Sequence, residues 1–382
     1  MDFATNLSKA VAHLIVILSI KKANYIQGRG AQINTHNRFS ALQHFIEDDF
    51  LEHCYIQGEN SNSNRTHYIE IFPKTILNKV TSTDIGLAYS MNPYQGCEHG
   101  CIYCYARNTH EYWGYGAGLD FEKKILYKKN AAELLEKKLS GSHWKAQNIM
   151  LSGNTDCYQP LEKKLQITRQ LLQVFLKYKH PVSIITKNAL LLRDLDILTP
   201  LAALDLLHVS ISITSLKEET RRILEPRTTS IEKRLKTIKT LREHKIPVNV
   251  MMAPIIPGIN NHEIFALIKK VSELGANATA YTIVRLNGAI GIIFKDWLQR
   301  TLPHRADKII HQIEDCHGGQ LNDSRFGIRM RGEGKIDEQV AIQFRLAKKK
   351  YMNTTCMPPL DYTHYESQKN AQLKLFFPKN KR

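Results

Sequence analysis

From residue 85 onward, short apolar runs rich in β-branched residues alternate with longer stretches whose apolar positions recur every three or four residues. The first pattern fits a buried strand and the second an amphipathic helix. Strands are expected over residues 87–91, 148–151, 182–186, 207–213, 248–252 and 280–284. Helices are expected between them, over residues 131–139, 162–178, 190–198, 231–244 and 263–274, and the helical pattern continues from 294 to 350. Strand and helix in regular alternation imply βαβ units and a parallel sheet. The pattern does not choose between a doubly wound sheet and a barrel.

Residues 1–70 lack a sustained period and are expected to form an N-terminal extension over a core at 71–290, with a helical extension at 291–350 and a basic tail at 351–382. The tail sets Lys369, Lys374, Lys379, Lys381 and Arg382 against Glu366, and is expected to be frayed and solvated. The apolar run at 10–20 is too short to span a bilayer. It also lacks a basic leader and a small-residue cleavage site, so a short helix, or translation from an upstream start, is expected rather than export, with no membrane association.

Composition changes the picture in two ways. A net charge of +17 in 382 residues implies an acidic partner, with nucleic acid the first candidate. Much of the charge is scattered as pairs such as Lys123-Lys124 and Lys163-Lys164, which a solvated surface would also explain. Seven cysteines, three clustered and four (Cys54, Cys157, Cys316, Cys356) dispersed, fit a reducing cytoplasm better than a disulfide framework.

The clustered three are Cys97, Cys101 and Cys104, spaced C-x3-C-x2-C in a loop rich in Gly, Asn, Pro and Tyr. Zinc would want a fourth ligand, for which only His99 and His110 are near. Buried cysteines can serve as small hydrophobes, but this loop builds no core. Three thiolates at this spacing suit three irons of a cubane 4Fe–4S cluster, leaving the fourth iron open to another ligand.

At these residues the chain resembles the radical SAM superfamily. That resemblance implies a partial (β/α)6 TIM-type barrel with the cysteine loop after its first strand. It also implies S-adenosylmethionine (SAM) chelating the open iron and an aromatic residue, here Tyr103, beside the adenine. Asn92-Pro93-Tyr94, Tyr105-Ala106-Arg107, Thr155-Asp156 and Pro254-Ile255-Ile256-Pro257-Gly258 are similar to the spore photoproduct lyase-like, or DNA repair photolyase, branch over residues 70–350. Arg29, Arg38 and Phe39 resemble an opening seen in that branch.

Barrel enzymes place their chemistry at the C-terminal ends of the strands. The resemblance implies that Ser152, Gly153, Asn154, Thr155 and Asp156, after the second strand, meet the methionine amino group; an ordinary Asx-turn is the alternative. Lys187 could pair with the SAM carboxylate or face solvent. Ser210 and Ser212 share one face of a strand and would point into the barrel, toward a ribose or carboxylate. Pro254 would line the adenosyl pocket, and Arg222 and Glu225, with Arg227 beside them, are candidate catalytic residues or else a solvated helix end. Photoproduct lyases carry a hydrogen-donor cysteine at the start of the turn after strand two. Here Ser152-Gly153-Asn154 stand in its place and the nearest thiol is Cys157, so the reaction on thymine dimers is not expected to carry over.

The resulting expectation is an enzyme that cleaves SAM reductively, served by a low-potential electron donor such as flavodoxin or ferredoxin, on a substrate that includes nucleic acid among its candidates. The alternatives are a non-catalytic iron–sulfur protein that binds nucleic acid, and a zinc-binding module.

Overall fold

The computed structural model describes residues 25–40, 65–82, 84, 86–330 and 332–365. The apolar run at 10–20, Cys54 and the charged end at 366–382 lie outside the described residues. In chain order the strands are β1 (His67–Ile71), β2 (Leu77–Lys79), β3 (Tyr89–Met91), β4 (Tyr94–Gln95), β5 (Lys124–Lys128) and β6 (Ile149–Leu151). They continue as β7 (Val182–Thr186), β8 (Leu207–Ser212), β9 (Val248–Ile255) and β10 (Ala278–Ile283). The α-helices begin with α1 (Leu119–Lys123), α2 (Ala131–Ser140), α3 (Glu162–Leu165), α4 (Ile167–Tyr178) and α5 (Leu195–Ala203). The rest are α6 (Glu218–Leu224), α7 (Ile231–Glu243), α8 (Ile264–Glu273), α9 (Ala289–Thr301), α10 (Ala306–Asp315) and α11 (Lys335–Tyr351).

The large sheet runs β10-β9-β8-β7-β6-β3-β2. All neighbours from β3 to β10 are parallel, and β2 pairs antiparallel with β3. Each successive βα unit adds its strand beside the previous one, which is the winding of a barrel and not of a doubly wound sheet. Among the described residues no ladder joins β10 to β2, so the barrel is open at that seam. All six expected strands are present.

The strands alternate as a two-residue period requires. Val182, Ile184, Val209, Ile211, Val248 and Val250 are buried in one core with Leu171, Phe175, Ile238 and Leu267 of the helix layer. The intervening Ile185, Ser210, Asn249 and Met251 are less buried and point to the opposite face, the lumen.

Three differences from the sequence expectation have physical causes. The helix expected over 162–178 is broken at Gln166, which adopts a left-handed φ of 54°. There the buried carboxylate of Glu162 turns onto the free N–H groups of Thr168 (3.0 Å) and Arg169 (3.4 Å) and caps α4. The helix expected over 190–198 starts as a 3₁₀ turn, Ala189–Asp194, before α5. The expected frayed tail is docked as far as residue 365. Pro358 O accepts from His208 Nε2 (2.7 Å), Asp205 O from Asp361 N (2.8 Å) and Leu139 O from the buried Tyr365 hydroxyl (2.7 Å).

Two further pieces frame the open end of the barrel. A small sheet, β1-β5-β4, flanks the cysteine loop, with β4 leading directly into it. Residues 317–330 and 332–334 belong to a strap across the seam, which interrupts the helical pattern expected over 294–350. At one side it is tied to the segment after β10 by His317 Nε2 on Val284 O (2.7 Å) and Leu286 N on Leu321 O (3.0 Å). At the other, Arg329 grips Asp84 in the β2–β3 hairpin at 2.6 and 2.7 Å.

Candidate active site around the cysteine loop

The loop after β3 is held by its backbone, which leaves its thiols free. Cys97 N donates to Phe121 O (2.8 Å) and Ile102 N to Leu224 O (3.0 Å). Arg107, wholly buried, donates to Cys101 O through both Nε (3.0 Å) and Nη2 (2.9 Å). Its charge is met by the equally buried Glu122 at 2.6 Å. Glu122 also accepts from Gly30 N (3.0 Å) and Ala31 N (2.8 Å), and Arg29 Nη1 donates to Glu122 O (2.7 Å). A Cβ on Gly30 would lie 1.8 Å from Gly100 O, so only glycine permits this approach. The Gly28-Arg29-Gly30 segment is therefore the underside of the cysteine loop. Arg38, from the same opening, pairs with Glu111 (3.1 Å) and lies over the Phe39 ring (4.7 Å).

Cys97, Cys101 and Cys104 are free thiols. Burial pushes all three up in pKa, Cys101 to about 12 against the opposing charge of Lys187 and Cys104 against those of Arg107 and Lys187. Thiols so placed are poor acids alone and become good ligands once a cation shares the site. Neither nearby histidine joins them. His99 is turned onto Asp156 (3.3 Å), and His110 is packed between the rings of Tyr115 and Phe121. Among the described residues no three His, Cys, Asp or Glu side chains converge as ligands of a single ion. A cubane, which takes one thiolate at each of three irons, does not require that convergence, and the donor set fits it.

Charged groups converge from the neighbouring strand ends. Lys187, after β7, sits among Cys101, Glu225, Asp156 and Cys104; burial opposes its charge, and these neighbours hold it protonated. Among the described residues its ammonium donates no hydrogen bond. Glu225 is fully buried and accepts from Tyr103 Oη, from Thr214 Oγ1 (2.8 Å) and from Arg234 Nη2 (2.6 Å). Burial alone would raise its carboxyl, but Arg234, Lys187 and the Tyr103 hydroxyl bring it to about 2.

The turn after β6 divides its work. Ser152 takes a left-handed φ of 75°, and its hydroxyl accepts from Cys157 N (2.6 Å). Gly153 O accepts from the exposed Tyr105 hydroxyl (2.6 Å). Thr155 Oγ1 donates to Tyr94 O (2.6 Å). Asp156 accepts from Tyr158 N, Thr186 Oγ1, Lys187 N and His99 Nδ1, so both oxygens are taken. Burial raises its carboxyl, yet His99 and these donors hold it well below the usual carboxylate range. Asn154 uses its amide nitrogen on Gln95 and Thr109, leaving Oδ1 as the acceptor the turn still offers.

Other expected residues are spread more widely. Ser210 Oγ accepts from Asn249 (3.1 Å) in the lumen, whereas Ser212 is buried and its carbonyl accepts from Arg234 (3.0 Å). Pro254, in a cis peptide with Ala253, accepts from Asn260 (3.1 Å). Arg222 stands outside the group, its side chain 70% exposed beside Glu218. Arg227 reaches Glu98 at 3.5 Å on the far side of the loop. Cys157 is fully buried in the core, not at the mouth. Sequence reading missed Arg234, Glu122 and the role of Arg107, because a buried pair is recognisable only once both partners are brought together.

With that geometry in hand, the profile of the Radical SAM superfamily matches residues 91–271. An uncharacterized protein of Mycobacterium tuberculosis is 31% identical over 237 residues, 61% of this chain and 70% of that protein. An uncharacterized protein of Methanocaldococcus jannaschii is 30% identical over 236 residues, 62% of this chain and 85% of that protein. Among solved structures, spore photoproduct lyase complexed with dinucleoside spore photoproduct has a similar fold. Its TM-score is 0.54 at 15% identity, covering 75% of this chain and 79% of that one.

Proposed function

The chain belongs to the radical SAM superfamily, an enzyme family that uses a 4Fe–4S cluster and SAM, and from that premise we propose that Cys97, Cys101 and Cys104 hold three irons of the cluster, with SAM taken at the fourth. When bound, the pair supplies reductive cleavage of the sulfonium to methionine and a 5′-deoxyadenosyl radical that abstracts hydrogen from the substrate. The observation that carries this reading is a loop whose backbone is gripped by Arg107 while its three thiols stay free.

Around it, Lys187 is the cation for the SAM carboxylate, its ammonium charged and, among the described residues, without a hydrogen bond. Asn154 Oδ1 is the acceptor for the amino group, oriented by Gln95 and Thr109. Asp156, its oxygens committed, holds the β6 turn, Lys187 and His99 in register. Tyr103 is fixed by Glu225, which serves as a positioning residue, and Ser212 and Pro254 lie near the adenosyl side. Arg222 contributes nothing to this arrangement.

The core at 71–290 carries these residues, with Gly30 and Ala31 of the extension completing the loop. No described helix is long and apolar enough to cross a membrane, and the cytoplasm suits the free thiols. A low-potential flavodoxin or ferredoxin would supply the electron. Nucleic acid is a substrate candidate supported by the +17 charge and by the dinucleoside in the related fold. The thymine-dimer reaction itself is not proposed, since Ser152-Gly153-Asn154 stand where the hydrogen donor would be and Cys157 is in the core. The test is the paramagnetic spectrum of the reduced, reconstituted protein. SAM should shift it, and Asn154→Ala should weaken the shift. A spectrum indifferent to saturating SAM would favour the non-catalytic alternative.

A further inference from the structure

Arg285 lies two residues beyond β10, at the end of the sheet where the cysteine loop and Lys187 also lie. Its neighbours fix it between two walls. Leu286 N donates to Leu321 O in the strap, and Asn287 O accepts from Asn108 (2.7 Å) in the 3₁₀ helix that follows the cysteine loop. The guanidinium is half-buried, yet its hydrogen bonds go to neutral groups. Nε reaches Asn322 Oδ1 (3.2 Å), Nη2 reaches Asp323 O (3.3 Å), and Nη1 meets only the Met330 sulfur (3.6 Å).

The acids nearby are already committed. Asp323 is gripped by Arg325 (2.6 Å) and Asp84 by Arg329 (2.6 Å). Among the described residues, Arg285 has no carboxylate partner. Burial first, and then the nearby charge of Arg329, lower the Arg285 pKa against the opposing fields of Asp84 and Asp323. A partly desolvated guanidinium whose nearby carboxylates are bonded to other arginines is under-compensated, and an anion with two oxygens would complete its fork.

We propose that Arg285 is a specificity-determining residue of the barrel mouth, where it receives an oxyanion, phosphoryl or carboxylate, carried by the substrate. The strap supplies the groups that aim it. This inference rests on the barrel mouth being the substrate site.

The test is calorimetric titration of the anaerobically reconstituted protein at low salt with inorganic pyrophosphate and, separately, succinate. At least one probe binds, and the tighter of the two distinguishes a phosphoryl from a carboxylate source. Arg285→Gln weakens that binding about ten- to a hundredfold, as expected for a lost charge-assisted contact. Lys239→Gln, on the exposed face of α7, leaves it unchanged and separates the site from the general basic surface. If Arg285→Gln fails to fold by circular dichroism, Arg285→Lys decides instead. It retains charge without the fork and should bind at least about threefold more weakly. Absence of binding by both probes, equal losses in Arg285→Gln and Lys239→Gln, or unchanged binding in the fallback variant each overturns the assignment. The readout does not involve SAM cleavage, so its failure leaves the cluster reading standing. An inert cluster with Arg285-dependent binding would sink the cluster reading alone.

Discussion

Glu122→Gln is the substitution that most sharply tests how the cysteine loop is held. Both Glu122 and Arg107 are wholly buried, 2.6 Å apart, and Arg107 is the donor on Cys101 O. Removing one member of a buried pair leaves the other uncompensated, at a cost of ~3–5 kcal/mol. The amide is nearly isosteric, but it can present an oxygen to Arg107 and Ala31 N or to Gly30 N, not to both sides. The side that meets the NH₂ faces donor against donor, adding ~1–3 kcal/mol. A loss of about 4–8 kcal/mol is therefore expected, a large share of the ~5–15 kcal/mol that stabilises a folded domain. Urea unfolding of the metal-free protein reads the first effect. Iron content after reconstitution and a chelator challenge reads the second, with the variant losing iron first. A variant with wild-type unfolding midpoint and iron content would refute the reasoning. A destabilised variant that keeps its iron would refute the link to the loop.

Gly30→Ala brings a methyl group 1.8 Å from Gly100 O and should lower iron content as Glu122→Gln does; full iron loading would mean the extension is dispensable. Lys187→Met should weaken SAM binding by about tenfold or more, as expected for a lost charge pair, with iron content unchanged. Equal affinity would remove Lys187 from the carboxylate site. His180 is buried and neutral, with Nε2 accepting from Trp144 Nε1 (3.0 Å) and Nδ1 on Pro181 O (2.9 Å). Burial lowers its pKa to about 4. Stability is thus intact above the unfolded value of ~6.5 and lost as pH falls toward 4, by ~2 kcal/mol at pH 5. His180→Gln should flatten that slope between pH 7 and 5, and identical slopes would count against it.

The large sheet was legible because its strands are β-branched runs separated by helices with a regular apolar stripe, so Val182–Thr186 was read with its exact bounds. The small sheet was not. Its strand β1 carries a mostly exposed pattern, and its partner β5 lies 57 positions away behind a short helix, so neither announces a buried face. The break at Gln166 had no local signal either, since it follows from where the Glu162 carboxylate goes. At the site, the spacing of Cys97, Cys101 and Cys104 was sufficient to propose them as cluster ligands. What supports them was hidden, because Arg107, Glu122 and Gly30 meet only through the fold. The sequence did not tell the adjacent arginines at this helix end apart, of which Arg221 turns inward while Arg222 faces solvent.

The central claim is tested most directly by anaerobic incubation of the reconstituted, dithionite-reduced protein with SAM, followed by chromatography for 5′-deoxyadenosine and methionine. The account predicts both products, formed in equal amounts and abolished by Cys97→Ala, Cys101→Ala or Cys104→Ala, but not by Cys316→Ala. An iron-loaded, reduced protein that forms neither product, or triple loss of these thiols without effect on them, would contradict it.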